Sequence, residues 1–475
     1  MTECCTPAGQ NRTFDLAVIG AGSAGFSAAI TAAEQGVHVA LIGHGTIGGT
    51  CVNVGCVPSK TLIRAAETLH QARSARRFAG IRAEAQTYDW RVTVQQKDDL
   101  ISGLRQAKYA DLLHAYPTVA YRKGRAQLAD CGVTVDGDLI KASRVIIATG
   151  ARPSVPSIPG IETVEYLTST SALALEVLPK SLLVIGGGYV GVELAQMFAR
   201  MGVVVTIVCR SRLLPGAEPE IADALAGYLR HEGVGMRCGV EYRRIMKDDY
   251  GASLLIGADG RKETLTAERV LVATGRTPNV EDLGLTEAGV AQTSNGAILV
   301  DDRLRTTRSN TYAVGDVTGR DQFVYMAAYG AKLAAKNALN HDSLRYDNSA
   351  MPSIVFTDPQ LACAGMTEAA ARAAGRDTMV STLPLTAVAR AIAARDTRGL
   401  VKLVADRKSR KLLGAHILAP EGGDSIQTAV LAIRHGLMID DLAETIFPYL
   451  TTVEGLKLAA LAFAKDVTKL SCCAG

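Results

Sequence analysis

Short apolar runs broken by glycine-rich turns set the plan of this chain. Phe14-Asp15-Leu16-Ala17-Val18-Ile19 is apolar at nearly every position, the pattern of a strand buried on both faces, and it runs into Gly20-Ala21-Gly22-Ser23-Ala24-Gly25. A small-residue helix is expected next, stopping near Gly36, and then a second strand over 37–42. The pattern recurs. Ser181-Leu182-Leu183-Val184-Ile185 leads into Gly186-Gly187-Gly188-Tyr189-Val190-Gly191, a helix to Met201 and a strand over 203–208. Each unit is followed by an apolar strand ending in the same tripeptide, Ala148-Thr149-Gly150 and Ala273-Thr274-Gly275.

Each unit is a strand, a GxGxxG turn and a helix, the dinucleotide-binding fingerprint. In the first turn Gly20 permits the tight bend, Gly22 lets the backbone approach a pyrophosphate beside Ala24, and Gly25 allows helix and strand to pack closely. Gly186, Gly188 and Gly191 hold the same places in the second. The helix N-termini supply amide donors and a positive dipole end. One such turn is weak evidence, since glycine-rich loops are common. Two, each after a strand and each echoed by Ala-Thr-Gly, predict two bound dinucleotides. Thr311-Tyr312-Ala313-Val314-Gly315-Asp316 reads as a further strand ending on a carboxylate. Beyond about residue 346 the alternating stretches 353–357 and 400–404 and helices over 425–436 and 440–446 suggest an α+β module.

Composition narrows the class. A chain of 475 residues exceeds one ordinary core, so several domains are expected. Lys and Arg number 51 against 47 Asp and Glu, a net charge of +4 spread along the chain, which gives no footprint for nucleic acid. The longest apolar stretches are broken by glycine and charge, so no membrane span is expected. Met1-Thr2-Glu3-Cys4-Cys5 has no basic, apolar leader pattern. A cytoplasmic protein is the expectation, and there cysteines are used for catalysis or metal binding more than for structure.

The carboxylate that often ends the second strand of a dinucleotide unit is missing from Ile207-Val208-Cys209-Arg210-Ser211-Arg212. Arg210 and Arg212 suit a 2′-phosphate and point to NADPH; a solvated basic edge is the competing reading. The first unit is followed by Gly48-Gly49-Thr50-Cys51-Val52-Asn53-Val54-Gly55-Cys56-Val57-Pro58-Ser59-Lys60, which points to FAD. Its second strand ends at Ile42-Gly43-His44-Gly45, again without a carboxylate. Five positions apart in a regular helix, Cys51 and Cys56 would lie roughly 140° and about 8 Å apart, whereas disulfide Cα atoms are usually closer than about 7 Å. If the two pair, Cys51 must stand on an irregular lead-in, which the glycines allow; two buried thiols are the alternative. A second pair, Cys472-Cys473, lies at the far end of the chain. Soft thiolates select soft metals, Hg(II) among the softest.

These motifs closely resemble the pyridine nucleotide–disulfide oxidoreductases, through both fingerprints, both Ala-Thr-Gly strands, Gly315-Asp316 and Phe356-Thr357-Asp358-Pro359. The resemblance implies an α/β fold: two Rossmann-like domains, for FAD over 13–152 and 276–345 and for NADPH over 153–275, and a C-terminal α+β dimerisation domain over 346–475, after a tail at 1–12. It further implies a redox-active Cys51/Cys56 pair, with Cys51 the exposed interchange thiol and Cys56 against the flavin. Lys60 would lie near the flavin, paired with Glu193. Asp316, Gly45, Thr50, Ala126 and Val324 would line FAD, and Tyr189 would cover the nicotinamide pocket.

One departure bears on substrate. Disulfide-reducing members carry a His-Pro pair whose histidine protonates the leaving thiol; this chain has Phe447-Pro448-Tyr449-Leu450, and Glu454 is displaced in spacing. Phenylalanine transfers no proton. That segment and the terminal cysteine pair resemble the metal-reducing branch of the family. The implied reaction is reduction of thiolate-bound Hg(II), collected by Cys472 and Cys473 and passed to Cys51 and Cys56, with Tyr189 and Tyr449 flanking the metal. The tail would serve the partner's site in a homodimer. A disulfide reductase and a non-catalytic metal-binding protein are the rivals. Cys4-Cys5 is a candidate scavenging pair, and Cys131, Cys209, Cys238 and Cys363 are expected to be structural, since cysteine packs as a small hydrophobe.

Overall fold

The computed structural model describes residues 13–258 and 260–469. Cys4, Cys5, Cys472 and Cys473 lie outside them. The chain divides into two compact units, one of residues 1–58, 96–152 and 276–347 and one of residues 59–95, 153–275 and 348–475. Among the described residues no helix is long and apolar enough to cross a membrane.

The first unit is built on a five-stranded parallel sheet in the order Thr311–Ala313, Val145–Ile147, Leu16–Ile19, Val39–Gly43, Val119–Lys123. Leu16–Ile19 is central and buried throughout, which is why its sequence is apolar without alternation. Phe14, read as part of that strand, makes only an isolated bridge to Ala142. The helices Ser23–Ala33 and Val324–Leu339 pack on each other over the sheet through alanine and glycine, whose small side chains let helix axes approach closely. Asp316 stands just past its strand, in the turn Gly315–Thr318. A three-stranded antiparallel sheet, Ala126–Ala129, Gly132–Val135 and Asp138–Lys141, completes the unit.

The second unit repeats the parallel plan, in the order Gly235–Cys238, Val204–Cys209, Ser181–Ile185, Arg269–Val272, Tyr166–Leu167. It also holds the α+β module: an antiparallel five-stranded sheet ordered Pro352–Val355, Gln360–Gly365, Leu412–Ala419, Leu400–Asp406, Thr378–Pro384, with the helix Gly422–Arg434 packed on it. The fold is therefore α/β with two Rossmann-like sheets and a C-terminal α+β module.

A buried ionic network fixes the segment Phe356–Pro359. Arg200 bonds Glu232 at 2.7 Å and the Asp358 carboxylate at 2.9 Å, and Arg398 reaches Asp358 at 3.1 Å and Asp396 at 2.7 Å. Gln196 closes the set by accepting from the Asp358 N–H at 2.8 Å and donating to its carbonyl at 2.9 Å. Removing one partner from a buried set leaves the other charges uncompensated, so Arg200→Ala is expected to lower the unfolding free energy by about 3–5 kcal/mol. Urea denaturation measures this; a loss below about 1 kcal/mol would place the network with ordinary surface pairs.

Candidate active site

The first fingerprint turn works because it has no side chains. Gly20 has φ +121° and a Cβ there would sit 2.2 Å from the Ala148 carbonyl oxygen. A Cβ on Gly25 would sit 1.7 Å from the Gly20 carbonyl oxygen, so helix and turn can meet only through glycine. Gly22 caps the helix Ser23–Ala33 with no side-chain hydrogen bond, which leaves the first-turn amides available to an anion. Gly22 also bridges to Gly48, and a Cβ on Gly49 would meet the Gly22 Cα at 2.6 Å. The fingerprint loop and the cysteine loop are thus laid backbone to backbone.

The second turn repeats this geometry. A Cβ on Gly186 would lie 2.2 Å from the Ala273 carbonyl oxygen and one on Gly191 would lie 2.3 Å from that of Gly186, while Gly188 caps the helix Tyr189–Arg200 without a side-chain bond. Both turns fit a dinucleotide pyrophosphate. Beyond the second, Arg210 lines a cavity of about 430 Å³ with Ser154, Ile158, Tyr242 and Thr274. Arg212 is held differently. Its Nη2 donates to the carbonyls of Pro215 and Ala217, and its Nη1 is buried without a hydrogen-bond partner. Arg210 is the residue exposed to a ligand.

Cys51 lies on the short helix Gly49–Val54, so the irregularity that pairing with Cys56 would require does not precede it. The break comes one step later, at Gly55, whose φ and ψ of −126° and −111° end one helix before Cys56 opens the next, Cys56–Arg73. A Cβ at Gly55 would stand 2.9 Å from the Thr50 carbonyl oxygen. Cys51 is half-buried and Cys56 is the more exposed of the two, the reverse of the expected order, because Cys51 stands within the short helix while Cys56 opens the next one. Asn53 pins the loop by donating to the carbonyls of Ile47 at 2.9 Å and Gly49 at 2.8 Å, and Arg105 donates to the Asn53 side-chain oxygen at 3.1 Å. Tyr109 packs edge-on against Phe26 and bonds the Ser23 hydroxyl at 3.2 Å. Its hydroxyl is pushed up by burial, and Cys51 and Cys56 add to the effect, which puts Tyr109 within electrostatic reach of the cysteines. Sequence reading missed Arg105 and Tyr109 because nothing local marks them.

Lys60 and Glu193 meet at 2.7 Å, with the Glu193 side chain buried. The other Glu193 oxygen accepts the Phe356 N–H at 2.9 Å, and the Lys60 ammonium lies 4.6 Å from the centre of the Phe356 ring. The Tyr189 hydroxyl donates to Ser353 at 3.3 Å, and burial raises its pKa. Gly45 and Thr50 are exposed around the cysteine loop, Ala126 is buried at the start of its antiparallel strand, and Val324 opens the helix Val324–Leu339. In the C-terminal module Phe447 packs against the apolar core while Tyr449 is exposed. Glu454 opens the helix Glu454–Leu461, its carboxyl pushed up by burial.

Two glycine cradles and a two-cysteine helix junction in one chain are the parts of a nucleotide-dependent thiol oxidoreductase. The sequence profile described as pyridine nucleotide-disulphide oxidoreductase matches residues 14–335, and the profile for the dimerisation domain of such enzymes matches residues 351–460. The chain belongs to the pyridine nucleotide-disulphide oxidoreductase family. Within it, the chain is 45% identical over 463 residues to the mercuric reductase of Staphylococcus aureus, covering 97% of this chain and 84% of that protein. It is also 45% identical over 472 residues to the mercuric reductase of Streptomyces lividans, covering 97% and 98%. A similar solved structure is the Cu(II) complex of the HOCl-induced flavoprotein disulfide reductase RclA from Escherichia coli, with a TM-score of 0.84 and 33% identity over 96% of this chain and 100% of that one.

Burial raises the Asp316 carboxyl above the ordinary range, while Arg276 at 3.4 Å pulls the other way. A carboxyl raised in the folded chain contributes stability while protonated and loses it as pH rises through its folded pKa. Asp316→Asn stays neutral. It is therefore expected to raise the melting temperature of nucleotide-stripped protein at about pH 7, with the gain vanishing as pH falls below the carboxylate range of about 4. Melts of both proteins across that window check this; a lower melting temperature for the variant at neutral pH would show that the Arg276 pairing outweighs burial.

Proposed function

We propose that this chain is an NADPH-dependent flavoenzyme that reduces thiolate-bound Hg(II) to Hg(0). The observation that carries the reading is Phe447, at the position of the disulfide-reducing members' acid–base histidine, in a chain similar almost end to end to proteins named mercuric reductase. A disulfide substrate leaves as a thiolate and needs a proton; a metal ion does not. The enzyme works in the cytoplasm, where NADPH and small thiols are supplied.

Residues 13–152 and 276–345 hold FAD through the Gly20–Gly25 turn, Gly45, Thr50, Ala126, Asp316 and Val324. Residues 153–275 would hold NADPH through Gly186, Gly188, Gly191 and Arg210, with Arg212 bracing that segment through the Pro215 and Ala217 carbonyls. The chemistry that FAD would supply when bound is a two-electron relay between an NADPH hydride and the cysteines. Cys51 and Cys56 are first reduced to thiols. Cys472 and Cys473 of the partner subunit then exchange Hg(II) onto Cys51 and Cys56, ligand for ligand, so the metal is never released to water. Two electrons convert Hg(II) to Hg(0), which no longer needs thiolate ligands and leaves. Lys60 supplies positive charge one helical turn from Cys56 and is kept in place by Glu193. Tyr189 covers the nicotinamide site, and Tyr189 and Tyr449 flank the metal. Residues 346–475 form the homodimer that gives the site its second cysteine pair.

With excess small thiol, NADPH oxidation is expected to depend on Hg(II) and to yield one Hg(0) per NADPH, while oxidised glutathione supports almost no turnover. Vigorous disulfide reduction without mercury would contradict the assignment and favour the disulfide reductase reading.

Cofactor choice rests on Arg210. A charge-assisted hydrogen bond contributes about 1.5–3 kcal/mol, so Arg210→Ala is expected to raise KM for NADPH at least about tenfold. KM for NADH should stay near its original value. Arg212→Ala should in addition lower the melting temperature, because it frees the Pro215 and Ala217 carbonyls. Equal KM changes for both nucleotides would remove Arg210 from the phosphate site.

A further inference from the structure

Cys209 and Cys238, expected to be two separate small hydrophobes, are in contact. The parallel strands Val204–Cys209 and Gly235–Cys238 pair so that the two cysteines stand opposite each other at their ends. Their sulfurs are 3.1 Å apart. Cys238 is exposed on the outermost strand of the sheet, where a structural apolar residue gains little, and Cys209 is buried behind it. The Cys209 sulfur also lies 3.0 Å from the Ser211 carbonyl, and it would lie 3.0 Å from a Cβ on Gly187, inside the second fingerprint turn. Arg210 is the next residue along. The electrostatics divide the pair. The Cys209 hydrogen bond, helped by Arg230 and the Leu213 amide, holds the Cys238 thiol down to about 7, while Cys209 is pushed up. One accessible, acidic thiol backed by a buried, reluctant one is the arrangement of an attacking and a resolving cysteine.

We propose that Cys238 and Cys209 form an oxidisable dithiol, separate from Cys51 and Cys56, whose closure to a disulfide weakens NADPH binding at the adjoining Gly186–Gly191 turn. The oxidant is a small-molecule disulfide. The Cys238 thiolate attacks one of its sulfurs, the S–S bond breaks, and one small thiolate leaves and takes a proton from water. Cys209 then gives up its proton and attacks the Cys238 sulfur of the mixed disulfide, expelling the second small thiolate. Two protein thiols lose two electrons and the small disulfide becomes two thiols; excess thiol reverses both steps. Closing the bond draws the sulfurs from contact to about 2.05 Å. The shift falls on Cys209, whose sulfur faces Gly187 and the Ser211 carbonyl, and so on the segment that continues into Arg210. The coupling rests on the NADPH reading of this turn; the dithiol does not.

The test uses full-length flavoprotein incubated with oxidised glutathione and then freed of small thiols. Peptide mapping should find a Cys209–Cys238 cross-link, and calorimetric titration should find NADP⁺ binding weakened by about fivefold or more, the lower end of ordinary coupling between sites. Dithiothreitol should reverse both, and Cys238→Ser and Cys209→Ser should show neither. Absence of the cross-link in the wild-type protein overturns the dithiol. A cross-link with unchanged NADP⁺ affinity overturns its coupling to the cofactor. Reduced protein that binds NADP⁺ no better than NAD⁺ overturns the 2′-phosphate reading and the coupling with it, while the peptide map still decides the dithiol.

Discussion

The buried carboxylate of Glu193 is the joint on which the site depends. A buried charge is tolerated only when its lone pairs are taken, and here one oxygen takes the Lys60 ammonium and the other the Phe356 N–H. Three segments meet at that side chain: the helix that begins with Cys56, the helix Tyr189–Arg200 that follows the second fingerprint, and the strand end at Phe356. Gln196 and Arg200 continue the same helix face at the spacing of successive turns, and both bind Asp358. One face of one helix therefore fixes both a lysine one turn from Cys56 and the segment Phe356–Pro359.

The parts of this arrangement legible in the sequence are those with local causes. Gly20, Gly25, Gly186 and Gly191 were readable because close backbone approach admits no other residue, and the apolar strands because burial on both faces removes alternation. The Cys51/Cys56 loop was readable as a motif but not in its geometry. Gly55 alone breaks the helix, so Cys51 sits in a regular turn. Arg105 and Tyr109 gave no signal, since their roles arise from hydrogen bonds to Asn53 and Ser23, 52 and 86 residues away in sequence. The Cys209–Cys238 contact was equally hidden, because strand register decides it and neither residue announces its partner. Residues 59–95 group with the second unit for a similar reason: Leu62, Ala66, Trp90 and Val94 are buried in its core.

Thiol chemistry gives the account its unity. The proposed reaction needs a dithiol that can be reduced beside a flavin, a second dithiol that collects a soft metal, and no acid where a disulfide reductase keeps one. Phe447 meets the last requirement by packing as a plain hydrophobe. The cysteine pair at the end of the nucleotide-domain sheet stands against the second fingerprint turn, which suits sensing the thiol–disulfide balance there.

The proposed relay joins Cys51 and Cys56 of one subunit to the terminal cysteines of the other. It is tested most directly in verified heterodimers that join a Cys51→Ala/Cys56→Ala chain to a Cys472→Ala/Cys473→Ala chain. Each parent homodimer lacks one half of every relay, whereas the heterodimer rebuilds one complete site. Hg(0) release from thiol-bound Hg(II), nearly absent in both parents, is expected to return in the heterodimer. No recovery there would mean that the pairs do not act across the dimer.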